Sequence, residues 1–220
     1  MQYIDFIESV HNSTKRNYIG RVTEYPKEEC AKIAKQFGYD FFDGERRYGY
    51  GGYKYDGRWK SVAKKMVEYY KLEAGQSVLD VGCGKAHLLY ELMKLVPGLK
   101  VKGIDVSQYA ITHTMEEIKP FLSVGKAQEL DTYLDDSFDL VISLNVLHNL
   151  YIYDLMKAVR DISRISKKSY IVVESYRTEE EKVNMMYWQL TCECFFNVTE
   201  WDWIYKECGY DGDYGFIFFD

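Results

Sequence analysis

The chain has 220 residues, with 28 basic and 34 acidic side chains and a net charge of −6. At roughly 150 residues per domain, that is one catalytic-sized domain with an extension. Apolar residues at 47% and charged residues at 28% are the balance of a globular chain and exclude disorder as its main state. The acidic total also disfavours sequence-independent binding to nucleic acid phosphates.

No apolar run approaches the ~20 residues of a membrane span. The start, Met1 to Glu8, is acidic and lacks the basic region of a secretory signal, so a cytoplasmic protein is expected. The five cysteines have neither an even count nor CxxC spacing. They fit reduced thiols, and no metal is expected.

Residues 3–11 read as a short amphipathic helix. Pro26 in a first turn opens a second helix that Gly38 can close. Residues 44–59 hold five glycines and four tyrosines, a density that forbids a regular element and marks a loop with aromatic teeth. A helix from about Trp59 to Lys71 follows. Strands are then expected at Ser77–Val81, Lys100–Val106, Phe121–Lys126, Phe138–Leu144 and Ser169–Ser175. The intervening helices cover Ala86–Val96, Ser107 to about Glu117, and Asp154–Ile165. Such alternation is the pattern of parallel βαβ units. Thr178 and Glu181 form a capping box for a further helix. A helix at Thr199–Cys208 and a strand at Gly215–Phe219 close the chain.

The run Val78-Leu79-Asp80-Val81-Gly82-Cys83-Gly84-Lys85-Ala86 sends an apolar strand into two spaced glycines and then a helix. In a doubly wound sheet this turn lies at the carboxyl end of the strand, where ligands bind. A dinucleotide fingerprint requires a third glycine where His87 stands. A phosphate P-loop requires a hydroxyl where Ala86 stands. Asp105 ends the next strand, placed to accept hydrogen bonds from a ribose diol.

Leu79-Asp80-Val81-Gly82-Cys83-Gly84 resembles the first motif of the class I S-adenosylmethionine-dependent methyltransferases. Gly103-Ile104-Asp105-Val106-Ser107 resembles the second, and Asp135–Val141 followed by Asn145-Val146-Leu147-His148 is similar to the fourth-strand segment. The resemblance spans about residues 60–175, and Gly215–Phe219 fits the family's antiparallel last strand. It implies a Rossmann-like α/β fold with a seven-stranded, mostly parallel sheet, helices on both faces and an N-terminal helical extension. Residues 1–60 would form that extension and a lid loop, and residues 61–220 the methyltransferase domain.

The cofactor implied is S-adenosylmethionine, leaving S-adenosylhomocysteine. Gly82, Cys83 and Gly84 would meet its methionine part, Asp105 and Val106 its ribose, and Asp80 its amine or the glycine loop. Asn145 would offer a carbonyl to the ammonium. Two departures stand out: Ala86 replaces the family's usual third glycine, and Lys126 follows Gly125 where many members carry an acid. Ala127 and Gln128 then take the adenine side.

Methyl transfer to oxygen or nitrogen needs positioning first and a base second. His148 and Glu174, near the ends of the fourth and fifth strands, are the candidate bases. Residues 44–71 carry eight positive charges against three negative ones, whereas residues 127–139 hold five acids and no base. That asymmetry would guide an anionic small molecule to the N-terminal side. Arg46 and Arg58 would bind it, Tyr176 would line its site, and Tyr53 would close over the sulfonium.

The expected function is thus methylation of a small anionic metabolite, such as a sugar, sugar nucleotide or phosphoryl compound of surface-polysaccharide or tailoring metabolism. An NAD(P)-dependent oxidoreductase and a non-catalytic cofactor-binding scaffold are the alternatives. A homodimer stays open.

Overall fold

The computed structural model describes residues 1–11 and 16–220. Its strands are β1 (Ser77–Val81), β2 (Lys100–Asp105), β3 (Leu122–Val124), β4 (Leu140–Leu144), β5 (Ser169–Glu174) and β6 (Asp213–Ile217). They form one sheet in the order β3-β2-β1-β4-β5-β6, and every pairing is parallel. The order reverses between β1 and β4, and at such a switch point the strand ends part to leave a crevice.

The sheet has six strands among the described residues rather than seven, and the last is parallel rather than antiparallel. The reason lies in the connection. β5 leads through helices α9 (Glu179–Trp188) and α10 (Val198–Glu207) before β6 returns, so the chain crosses over a face of the sheet and re-enters in the same direction. Beyond β6 the N-terminal strand-like segment supplies one more rung. Tyr3 bridges Tyr214 in parallel, and Ile4 N–H donates to the Tyr214 carbonyl at 2.8 Å. Of residues 3–11, Tyr3 and Ile4 thus lie at the sheet edge and only α1 (Glu8–His11) is helical.

The remaining N-terminal helices are α2 (Tyr18–Thr23), α3 (Lys27–Ala34), α4 (Tyr39–Phe42) and α5 (Lys60–Tyr70). Gly38 does not end α3. It precedes α4, with extended backbone. Between strands lie α6 (His87–Leu95), α7 (Gln108–Thr112) and α8 (Ile152–Ile165). In α8 the buried residues Leu155, Ala158, Val159, Ile162 and Ile165 recur every three or four positions, the stripe that an amphipathic helix lays on a sheet.

Ser107 caps α7 by accepting from Ala110 N–H at 3.0 Å, as its residue type suggests. Thr178 caps α9. However, the Glu181 carboxylate turns to the Arg177 N–H, at 2.6 Å, instead of completing the capping box. The capping box belongs to Asn197 and Glu200 at the start of α10. Two apolar clusters, one on each face of the sheet, make the core, so burial alone commits the strands to near-continuous apolar runs.

Candidate active site

A cavity of about 670 Å³ opens over the carboxyl ends of β1, β2, β4 and β5 and under the N-terminal segment. Its floor is the turn after β1. Gly82 has φ +83°, and a Cβ there would stand 2.2 Å from Val146 Cγ2, so only glycine fits. Gly84 has φ +55°, and the nearest side chain to an added Cβ would be the Phe42 ring at 3.6 Å. Backbone and open space therefore meet at Gly84, the condition under which a ligand can approach main-chain atoms. Ala86, at the family's third-glycine position, takes the same left-handed conformation with φ 56°.

Asp105 ties this floor to the next strand. Its Oδ2 accepts from Gly84 N–H at 2.7 Å and its Oδ1 from Ser107 N–H at 2.8 Å. Each oxygen retains a second lone pair for a ligand. Burial raises its pKa, opposed by those two N–H donors. Asp80 is buried in the cavity wall and its carboxyl makes no hydrogen bond among the described residues. Burial and the neighbouring Asp105 charge push its pKa up to about 8. A buried acid lacking a donor is a receptor for a cation or an N–H.

At the ends of β4 and β5, His148 and Glu174 are buried to 1% and 2% exposure and face each other, with Nε2 3.3 Å from Oε2. Glu174 main-chain N–H donates to His148 Nδ1 at 3.4 Å, which puts the ring proton on Nε2. Gln189 Nε2 donates to Glu174 Oε1, and Trp201 Nε1 donates to the Glu174 carbonyl at 3.1 Å. Among the described residues, Glu174 Oε2 and Asn145 Oδ1 are buried without a hydrogen-bond partner. Burial lowers the pKa of His148 and raises that of Glu174, so each is driven to its neutral form. Asn145 adopts φ 62° at the strand end.

The roof comes from the tyrosine–glycine segment. Tyr53 stacks on His87 with centroids 4.6 Å apart and packs at a tilt against Tyr50 at 4.5 Å. His87 is buried beneath that ring, and burial lowers its pKa to about 4. Asp43 pins the roof. It accepts from Tyr53 N–H at 3.0 Å and from Tyr109 Oη at 2.7 Å, and it pairs with the buried Lys85 ammonium.

The expected site residues mostly converge here. Tyr53, Asp80, Gly82, Cys83, Gly84, Asp105, Val106, Ala127, Gln128, Asn145, His148, Glu174, Arg46 and Arg58 all line the cavity. Lys126 also borders the cavity beside Gln128, with its ammonium paired to Glu129 at 2.7 Å. Tyr176 is a correction: it lines a separate surface groove beside Tyr3 and Arg177, because the chain leaves the sheet after Glu174. Arg58 is a partial one. Its guanidinium is clamped by Asp56 Oδ2 at 2.6 Å and is 52% exposed, so its charge is already matched. Sequence reasoning missed Asp43, Arg16, Arg21 and Gln189, which sit in no motif.

A family model described as a methyltransferase domain matches residues 72–212. The chain belongs to the class I methyltransferases. This methyltransferase is 34% identical over 117 residues to the demethylmenaquinone methyltransferase of Halalkalibacterium halodurans, covering 50% of this chain and 46% of that protein. It is 28% identical over 95 residues to the mitochondrial arginine-hydroxylase NDUFAF5 of Mus musculus, covering 43% of this chain and 27% of that protein. The matches therefore span under half the length of these relatives. The YcgJ protein of Bacillus subtilis shares the fold, with a TM-score of 0.55 at 20% identity over 66% of each chain.

Proposed function

We propose that this methyltransferase moves a methyl group from S-adenosylmethionine to an oxygen or nitrogen of a small anionic metabolite and releases S-adenosylhomocysteine. One observation carries the reading. The open backbone at Gly84, the strand-end Asp105 and the buried, unpaired Asp80 border the same cavity as Glu174 and His148.

These residues fit the cofactor. Asp105 keeps lone pairs for a ribose diol while holding Gly84 and Ser107. Asp80 offers a carboxylate to an ammonium, and Ala127 and Gln128 border the adenine side. When bound, the sulfonium supplies an activated methyl group. Holding the acceptor against it can remove ~7–11 kcal/mol of barrier.

Glu174 is the general base of this reading, the group that takes the acceptor's proton. His148 serves as its positioning residue, because its one ring lone pair is spent on a backbone N–H. The aromatic roof of Phe42, Tyr50 and Tyr53 excludes water from the same space. Residues 1–60 thereby act as extension and lid, and 61–220 as the catalytic domain. No helix among the described residues is long and apolar enough to cross a membrane.

The direct test incubates the protein with S-adenosylmethionine and fractionated metabolite extract, followed by mass spectrometry. A metabolite gaining about 14 Da, formed only with active protein, supports the reading. Cofactor binding with no methylated product across neutral, cationic and anionic fractions opposes it.

A further inference from the structure

We propose that Arg21 and Arg46, arrayed about the Trp188 indole, form a subsite for a dianionic oxyanion on the methyl acceptor, a phosphate monoester. The proposal rests on the methyltransferase reading and deepens it. Three separate segments build the subsite: α2 brings Arg21, the glycine-rich roof brings Arg46, and the last residue of α9 is Trp188. The guanidinium carbons of Arg21 and Arg46 lie 4.7 and 5.0 Å from the Trp188 ring centroid. All three residues line the cavity. Arg16, 5.7 Å from the same ring, adds a third cation on this wall.

The two guanidiniums are held by carbonyls. Arg21 donates from Nε to the Trp188 carbonyl at 3.2 Å and from Nη1 to the Arg46 carbonyl at 2.7 Å. Arg46 donates from Nη1 to the carbonyls of Gly49 and Tyr50 at 2.7 and 3.2 Å. A carbonyl orients a guanidinium without cancelling its charge. Among the described residues, no carboxylate lies within 4.0 Å of Arg21 or Arg46. Of the acids nearby in sequence, Glu45 pairs with Arg47 and Glu193 with Lys35. Each guanidinium has five donors, and the remaining N–H groups are open to an oxyanion that takes bidentate bonds.

Two unmatched positive charges beside each other are costly, and the strain is visible. Burial and the Arg46 charge push the pKa of Arg21 down to about 10. A monoanionic carboxylate would cancel one charge. A phosphate monoester, with a charge near −2, cancels both. The indole packs against both guanidiniums without competing for their N–H donors.

The test uses the full chain saturated with S-adenosylhomocysteine and titrated by calorimetry with inorganic phosphate and, separately, with acetate at pH 8. Phosphate is expected to bind at least about tenfold more tightly than acetate, and Arg21→Gln and Arg46→Gln are each expected to weaken phosphate by at least about tenfold. Arg21→Lys, which keeps the charge, should recover part of the loss. Unchanged homocysteine-cofactor affinity certifies that each variant is folded. Equal affinity for phosphate and acetate, or phosphate affinity untouched by both glutamine variants, overturns the subsite while leaving the methyltransferase reading in place. Failure of the wild-type chain to take up S-adenosylhomocysteine at all would instead overturn the reading on which the subsite rests.

Discussion

The carboxyl of Glu174 and the imidazole of His148 are buried together at the ends of adjacent parallel strands, with Oε2 and Nε2 3.3 Å apart. The pair lines the same cavity as the glycine loop. His148 Nδ1 faces a backbone N–H, and on the proposed reading the carboxylate takes the acceptor's proton while the imidazole positions it.

Glu174→Gln should lower kcat by roughly 10²–10⁴-fold and leave S-adenosylhomocysteine affinity unchanged. Burial raises the pKa of Glu174, so its basic form appears only as pH climbs. The wild-type rate should accordingly rise with pH above neutrality, and the residual rate of the variant should not. His148→Asn should displace that pH profile while retaining part of kcat. Initial-rate measurements across pH check both, and a wild-type profile identical to the Glu174→Gln profile would exclude the base role.

Asp80 governs a second pH effect. Its folded pKa of about 8 exceeds the ordinary carboxylate value, so the free fold favours the protonated form and loses stability as pH rises toward about 8. Pairing with a cofactor ammonium reverses this preference and expels the proton. Calorimetry at pH 7 in buffers of different ionisation enthalpy should show proton release on S-adenosylhomocysteine binding. Asp80→Asn should show none. Buffer-independent heats in the wild type would contradict the pairing.

Asp105→Ala should weaken cofactor binding by roughly 1–3 kcal/mol, the magnitude of charged hydrogen bonds left unmade. The loss has two sources. The ribose would lose its acceptor, and Gly84 and Ser107 would lose the carboxylate that holds their N–H groups. Asp105→Asn should retain part of the loop order and lose less. Equal affinities for wild type and Asp105→Ala would refute the assignment.

Asp43 fastens the roof to the glycine loop. Removing it in Asp43→Ala leaves the Lys85 ammonium buried without its partner, which costs about 3 kcal/mol by analogy with broken buried pairs. Urea unfolding measures this loss. Although burial opposes ionisation, bonds from Lys85 and Tyr109 hold the Asp43 pKa below its ordinary value. Its stabilisation is therefore present above the ordinary carboxylate range and is lost as pH falls through the lowered value. Amide exchange should accelerate across residues 37–55 in the variant, and unchanged protection there would show the roof to be fastened elsewhere.

Much of the catalytic half was legible because it is written locally. The glycines after β1, the acid ending β2 and the asparagine ending β4 each follow an apolar run by a fixed offset, so strand assignment alone places them. The last strand was misread in direction because Gly215–Phe219 has no intrinsic polarity. Its sense is set by the crossover through α9 and α10. Tyr3 and Ile4 were read as helical because their alternation is short, whereas pairing with Tyr214 at the sheet edge overrides that weak pattern. Arg21, Asp43 and Gln189 were invisible for another reason. Each is a single polar residue on a short helix, in a loop or at a helix end, and only tertiary packing of the N-terminal segment brings it to the cavity. Arg58 was overvalued because its partner, Asp56, lies two residues away and captures its charge.

The most direct test is hydrogen exchange read by mass spectrometry with and without saturating S-adenosylhomocysteine, paired with a calorimetric titration. Expected are one molecule bound per chain and slowed exchange confined to the backbone around Gly82 to Ala86, Asp105 to Ser107 and the Tyr50–Tyr53 roof. No heat of binding, or protection at some other surface with these segments unchanged, would contradict the placement of the cofactor over the glycine loop.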